Sequence, residues 1–165
     1  MPPPPPQEEF EALLGEHAGI LHKVANTYCR NLADREDLAQ EIAVQLWRSF
    51  PRFDGRCRFS TWAYRIALNV AISHVRQESA RARHTVPADD HHLEIADETG
   101  PPPEDLQLLH RFIEGLDGLD KALVLLYLDG NSHQEIANVL GVSATNVATK
   151  IGRLKEKLRQ SVPTP

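Results

Sequence analysis

From Ser132 to Leu158 the pattern of residues leaves few possible shapes. Ser132-His-Gln-Glu135 has the spacing of a capping box, in which the serine hydroxyl accepts from the Glu135 N–H and the glutamate reaches back to the Ser132 N–H. A helix is therefore predicted to start there. Ile136, Ala137 and Leu140 fall on one face, Gly141 permits the positive φ of a tight turn, and Val142 plugs the corner. Ser143 then caps a second helix whose Val147, Ile151, Leu154 and Leu158 form an apolar stripe. Small Ala137 lets the two helices cross closely. This is the pattern of a helix-turn-helix, and Ala144, Thr145, Asn146, Ala148, Thr149, Lys150 and Arg153 remain on the second helix to reach a major groove.

Helical periodicity dominates the rest of the chain as well. From Phe10, the residues Leu13, Leu14, His17, Leu21, Val24, Ala25 and Tyr28 recur at three- and four-residue steps, predicting a first helix near 8–30. Asp34 and Asp37 flank the expected start of a second, with Leu38, Ile42 and Leu46 beside Ala39, Ala43, Trp47 and Phe50 as its apolar face, and it stops at Pro51. The segment 51–61 carries Pro, Gly and three arginines and reads as an ordered loop. Ser60 is the expected N-cap of a third helix, which holds Trp62, Ala63, Ile66, Ala67, Val70, Ala71 and His74 and runs to about residue 81. Leu106, Leu109, Phe112, Ile113 and Leu116 begin a further helix, and Ala122 to Leu128 form a short apolar one that Gly130 ends. No segment alternates convincingly with period two. The expected fold class is all-α: two small helical domains, 8–83 and 106–161, joined by a flexible acidic linker, 84–105, after a disordered proline-rich N-terminus, 1–7.

Charge sharpens this division. The chain carries a net charge of −5, which by itself argues against a nucleic-acid partner. Its distribution does not: residues 30–83 hold ten Lys/Arg against six Asp/Glu, while 84–105 hold seven acids and no Lys or Arg. The basic character of 30–83 comes from arginine alone, which suits local contact with phosphates. No run approaches the roughly 18 uncharged apolar residues of a membrane span, so no membrane insertion is expected and the predicted location is cytoplasmic. Cys29 and Cys57 lie 28 residues apart and form neither a disulfide framework nor a zinc spacing.

Three runs, taken in order, carry a resemblance. Asp37-Leu-Ala-Gln-Glu-Ile42 with Leu46-Trp-Arg48, then Phe53-Asp-Gly-Arg56, then Phe59-Ser-Thr-Trp-Ala-Tyr-Arg-Ile-Ala-Leu-Asn69 together resemble region 2 of bacterial RNA polymerase sigma factors of the extracytoplasmic function (ECF) subfamily. Asp129 to Ser143 and Lys150-Ile-Gly-Arg-Leu-Lys155 resemble region 4 of the same subfamily, in the same order and across a similar linker. The first domain would then be a three- to four-helix bundle. Members of the family bind the polymerase core, direct it to promoters and help separate the strands, with no catalysis of their own and no cofactor. The resemblance implies that Asp37, Gln40, Glu41 and Arg48 dock on the core. It places loop 51–61 and the next helix at the minus-ten element, where Arg52, Arg56 and Arg58 suit phosphate neutralisation and Tyr64, Arg65 and Asn69 suit contact with an unstacked base. Phe59 and Trp62 could add stacking surface, although a core role is the stronger expectation for Trp62. Ser143, Thr145, Asn146, Thr149, Lys150 and Arg153 would read the minus-thirty-five element. RNA polymerase core and promoter DNA are the expected partners, and an anti-sigma factor is a further partner that the resemblance allows. The chain departs from the family at Leu116-Asp-Gly-Leu-Asp120, where Leu-Pro is common, and at Ala148, where a basic residue is frequent.

Two rivals belong to other classes. A stand-alone helix-turn-helix regulator would share the second domain but never meet polymerase. A metal-dependent hydrolase built on His84, Asp89, Asp90, His91, His92 and Asp97 would need fixed ligand geometry, which a proline-bearing acidic linker does not supply, so no metal site is expected. Cys57, between Arg56 and Arg58, has the surroundings that lower a thiol pKa, and a redox role stays open for it.

Overall fold

The computed structural model describes residues 6–82 and 103–163, which form two compact units, each with its own core. Both are helical, with no strand among the described residues.

The first unit contains α1 (Pro6–Glu16), α2 (Ala18–Tyr28), α3 (Leu32–Ser49), a 3-10 turn (Phe50–Arg52) and α4 (Phe59–Ala82). The single helix expected near 8–30 is two. His17 takes φ −118° and ψ 18°, its Nδ1 lies 2.9 Å from the Leu13 carbonyl, and its ring tilts against Phe59 at 5.0 Å. Gly15 and Gly19 flank the break and weaken helix propensity on both sides of it. Pro6 and Gln7, expected to fray, instead open α1, because proline costs nothing in a first turn whose N–H groups have no helical acceptor.

The start of α3 also lies earlier than the Asp34 and Asp37 positions suggest. Asn31 is the cap: its Oδ1 accepts from the Asp34 N–H at 2.8 Å while its Nδ2 donates to the Asp34 carboxylate at 2.8 Å. This exchange satisfies an otherwise orphaned backbone donor and fixes the helix entry. Ser60 is no cap either, since α4 begins at Phe59 and the Arg58 carbonyl already accepts from the Trp62 N–H.

Helices α2, α3 and α4 pack against one another around Val24, Leu38, Ile42, Leu46, Ala67, Leu68 and Ala71, all essentially sealed from solvent. Each buried Leu or Ile contributes about 1.5–3 kcal/mol. Phe10 joins α1 to this core by tilting against Trp47 and Phe50, each at 5.2 Å. Trp47, placed on the apolar face by periodicity, is 43% exposed and lies at the rim.

The second unit runs α5 (Glu104–Glu114), α6 (Gly118–Leu128), α7 (His133–Leu140) and α8 (Ala144–Ser161). Residues 84–102, the bulk of the expected linker, lie outside the described residues; Glu104 and Asp105, assigned to its end, form the first turn of α5. Asp117 caps α6 by accepting from the Asp120 N–H at 2.8 Å, so the departure from Leu-Pro still provides a helix start. Leu123, Leu126, Ile136 and Val147 form the centre of the core. The Lys155 ammonium lies 4.7 Å from the centroid of the Tyr127 ring, a cation–π contact between α8 and α6.

Candidate nucleic-acid interface

The helix-turn-helix forms as its local chemistry requires. Ser132 Oγ accepts from the Glu135 N–H at 3.1 Å and the Glu135 carboxylate accepts from the Ser132 N–H at 3.2 Å, closing the capping box. Gly141 takes φ 72°, and its N–H and that of Val142 both donate to the Ala137 carbonyl, turning the chain within two residues. Ser143 Oγ then accepts from the Asn146 N–H at 3.1 Å and starts α8. Val147, Ile151 and Leu154 are buried.

That stripe orients everything else on α8. At about 100° per residue, Thr145, Thr149 and Arg153 lie about 120–160° from Val147, whereas Lys150 lies only about 60° away. The burial agrees: Ser143, Thr145, Asn146, Thr149 and Arg153 are exposed and Lys150 is half-buried. Thr149 Oγ1 also donates to the Thr145 carbonyl at 3.0 Å. Lys150 does not belong to the outer face expected from the sequence. Its charge acts on Asp120 of α6, whose carboxyl is raised above the ordinary range by burial and by neighbouring Asp117, with Lys150 and Lys157 opposing.

In the first unit, the arginines of the loop are placed by a tight turn. Gly55 takes φ 76°, Asp54 Oδ1 accepts from the Arg56 N–H at 3.0 Å, and the Asp54 carboxylate pairs with Arg56 Nε at 3.1 Å. Both side chains are largely exposed, so the pair holds little energy and Arg56 can exchange it for a phosphate at small cost. Arg52, Arg56 and Arg58 all face solvent. Behind them Phe50, Phe53, Phe59 and Trp62 form a cluster with ring centroids 5.0–6.3 Å apart, which keeps the loop from collapsing.

On α4, Arg65 and Asn69 lie one turn apart and exposed. Tyr64 does not join them. It is 4% exposed, on the core side of α4 with Ala63, Ala67 and Leu68, so its ring cannot receive a base. Phe59 is likewise buried, and Trp62 is half-buried within the cluster.

Asp37, Gln40, Glu41 and Arg48 are exposed along one side of α3. Val44, four residues from both Gln40 and Arg48, is 48% exposed in the middle of that stripe. This apolar centre was missed at the sequence level, although the i, i+4 spacing would have shown it. Glu41 also turns toward α4, with its carboxylate 3.7 Å from His74 Nδ1; His74 Nε2 lies 3.2 Å from Glu78, without hydrogen-bond alignment.

Among the described residues no group of three or more His, Cys, Asp or Glu could hold a metal ion, and the residues of the rival metal site lie outside them. No described helix is long and apolar enough to cross a membrane. Cys57 is half-buried in the arginine loop and Cys29 is buried.

Comparison with known proteins separates the remaining readings. Residues 13–81 match the Sigma-70 region 2 family and residues 106–158 match Sigma-70, region 4. The ECF RNA polymerase sigma-E factor of Escherichia coli is 32% identical over 86% of this chain and 81% of its own length. The chain belongs to the ECF sigma factors. It is also 28% identical to the ECF RNA polymerase sigma factor SigW of Bacillus subtilis, over 94% of this chain and 90% of that one. Among solved structures it resembles CnrH, determined in complex with the cytosolic domain of CnrY, with a TM-score of 0.67 and 25% identity over 93% of this chain and 87% of that one. The sigma factor RpoE of Bartonella quintana, solved with the anti-sigma factor NepR, shares the fold with a TM-score of 0.69 at 18% identity, covering 94% of each chain. As a sigma factor, this protein binds RNA polymerase and promoter DNA and directs promoter-specific initiation; it is not itself an enzyme. A stand-alone regulator would have no use for region 2.

Proposed function

We propose that the three exposed surfaces divide the work of initiation. The polar stripe of Asp37, Gln40, Glu41 and Arg48, centred on Val44, docks on the polymerase core. Arg52, Arg56 and Arg58 hold the backbone of the minus-ten strand while Arg65 and Asn69 contact a base drawn out of the duplex, which makes this unit the one that opens DNA. Ser143, Thr145, Asn146, Thr149 and Arg153 read the minus-thirty-five element from the major groove. The single observation that carries the division is that α4 presents Arg65 and Asn69 to solvent beside an arginine loop braced by four aromatic rings.

An all-α chain that meets polymerase and DNA acts where they are, in the cytoplasm. An anti-sigma factor is a further proposed partner, supported by CnrH being solved with a second protein, the cytosolic domain of CnrY. Pull-down with core polymerase followed by run-off transcription tests the whole reading. Alanine at Gln40, Glu41 and Arg48 is expected to abolish capture. Alanine at Arg65 and Asn69 is expected to preserve capture and lose transcript. Loss of both activities in the second variant, with the fold intact, would refute the division.

A further inference from the structure

A glycine in the middle of α8 weakens the very helix that the second unit presents to DNA, because glycine is a poorer helix former than alanine. The fold gains nothing in return from Gly152. Gly55, Gly130 and Gly141 take φ 76°, 85° and 72° at turns that a side chain would strain, whereas Gly152 keeps ordinary helical backbone. Nor does it make room for a neighbour within the protein: a Cβ at this position would meet no other part of the chain within 4 Å. The space left open by the missing side chain lies outside the molecule.

Its position on the helix says what lies there. At about 100° per residue Gly152 is about 140° from Val147, so it shares the outer face with Thr145 and Thr149 and is exposed like them. The first residues of a recognition helix read base edges, and Gly152 is about 10 Å further along the axis than Thr145. A major groove is only about 12 Å wide, so Gly152 arrives at its edge, where the sugar–phosphate strand runs. Charge sets the other limit. Glu156, one turn beyond on the same face, is exposed and would repel a phosphate, although Arg159 lies 3.3 Å from its carboxylate. The strand therefore has to cross α8 at Gly152 and Arg153.

We propose that Gly152 is a positioning residue for minus-thirty-five recognition: with no side chain in the way, the sugar–phosphate strand lies directly against the α8 backbone, and this brings a phosphate within reach of Arg153. The proposal rests on the reading of α8 as the minus-thirty-five reader.

The test compares holoenzymes carrying the natural chain, Gly152→Ala, Gly152→Leu, Arg153→Ala and the double variant Gly152→Leu/Arg153→Ala. The probe is the duplex that natural holoenzyme selects from a pool randomised upstream of the minus-ten element. Alanine and leucine are both better helix formers than glycine, so each glycine variant should raise the melting temperature of the second unit in the free chain by roughly 4–8 °C. Binding should nevertheless weaken with side-chain size, by about tenfold for Gly152→Leu, and its salt slope should fall by about 0.9, as in Arg153→Ala. Adding Arg153→Ala to Gly152→Leu should then cost less than about twofold more. Binding by Gly152→Leu at natural strength, while Arg153→Ala still weakens it, overturns the proposal and leaves α8 as the reader. Natural binding by every variant removes the reading of α8 and the proposal with it. A lowered melting temperature in either glycine variant would give Gly152 a role in the fold, and additive losses in the double variant would separate it from Arg153; each result overturns the proposal.

Discussion

The half-buried position of Lys150 and the outward position of Arg153 give two basic residues on one helix different tasks, and the difference is measurable. A protein that neutralises phosphates releases counterions, and log affinity falls with log salt by about 0.9 for each contact. Removing one contact by Arg153→Ala should therefore reduce the slope by about 0.9. The advantage of the unaltered protein over the variant then shrinks about 3.5-fold as salt rises from about 50 to about 200 mM. Lys150→Ala should change the slope less, because that side chain is half-buried on the flank of the core stripe and its charge acts on Asp120. Its loss should appear instead as lower stability of the second unit, since Asp120 would keep the repulsion of Asp117 with one fewer compensating cation. The assay is holoenzyme binding to a duplex carrying the minus-thirty-five element, titrated at several salt concentrations, beside thermal melting of each free variant. Equal slope losses with no change in melting for Lys150→Ala would refute the placement of Lys150.

Ser132→Ala removes the hydroxyl half of the capping box, leaving the residue-132 N–H still able to donate to the Glu135 carboxylate, and should cost about 1 kcal/mol, lowering the melting temperature of the second unit by about 4–8 °C in calorimetry. Asp120 binds protons more readily folded than unfolded, so the second unit should lose stability as pH rises from the ordinary carboxylate range through the raised value. Asp120→Asn should flatten that limb in melts taken across acidic pH, and an unchanged pH profile would disprove the effect. Asn69→Ala and Arg65→Ala should leave core binding intact and weaken permanganate reactivity of promoter thymines; wild-type opening in both would make α4 a mere support. The purified chain alone should bind promoter DNA poorly, given its −5 charge, with the polymerase supplying the grip; tight specific binding at physiological salt would contradict this.

What could be read from sequence was whatever local chemistry decides. The capping box at Ser132, the turn at Gly141 and the Val147–Leu154 stripe are each set within a few residues, and all three stand. The errors lie where several local signals compete or a tertiary neighbour decides. Asn31 outranks Asp34 as a cap because it both accepts and donates. At the helix break, His17 also meets the ring of Phe59, a neighbour far along the chain. The resemblance and its aromatic ring assign Tyr64 to a base, yet one step of about 100° from exposed Arg65 turns it to the core beside Ala67 and Leu68. The same geometry puts Lys150 about 60° from Val147, on the flank of the core stripe and not on the outermost face.

The burial of Tyr64 changes how a base could be held. Flipping a base costs a few kcal/mol, and stacking on an aromatic ring returns about 1–3 kcal/mol. Tyr64 and Phe59 are buried, so presenting either ring would sacrifice about 1.5–3 kcal/mol of apolar burial and cancel the gain. Trp62 is committed to Phe50, Phe53 and Phe59 at ring-centroid distances of 5.0–6.3 Å. On the proposed assignment of base contact to α4, capture would fall to planar and polar groups on its outside: the Arg65 guanidinium, which can stack as well as donate, and the Asn69 amide, which offers both a donor and an acceptor to a base edge. The aromatic cluster contributes by stiffness instead. It fixes the arginine loop and the start of α4 before DNA arrives, so little ordering entropy is charged against the few contacts that hold the opened strand.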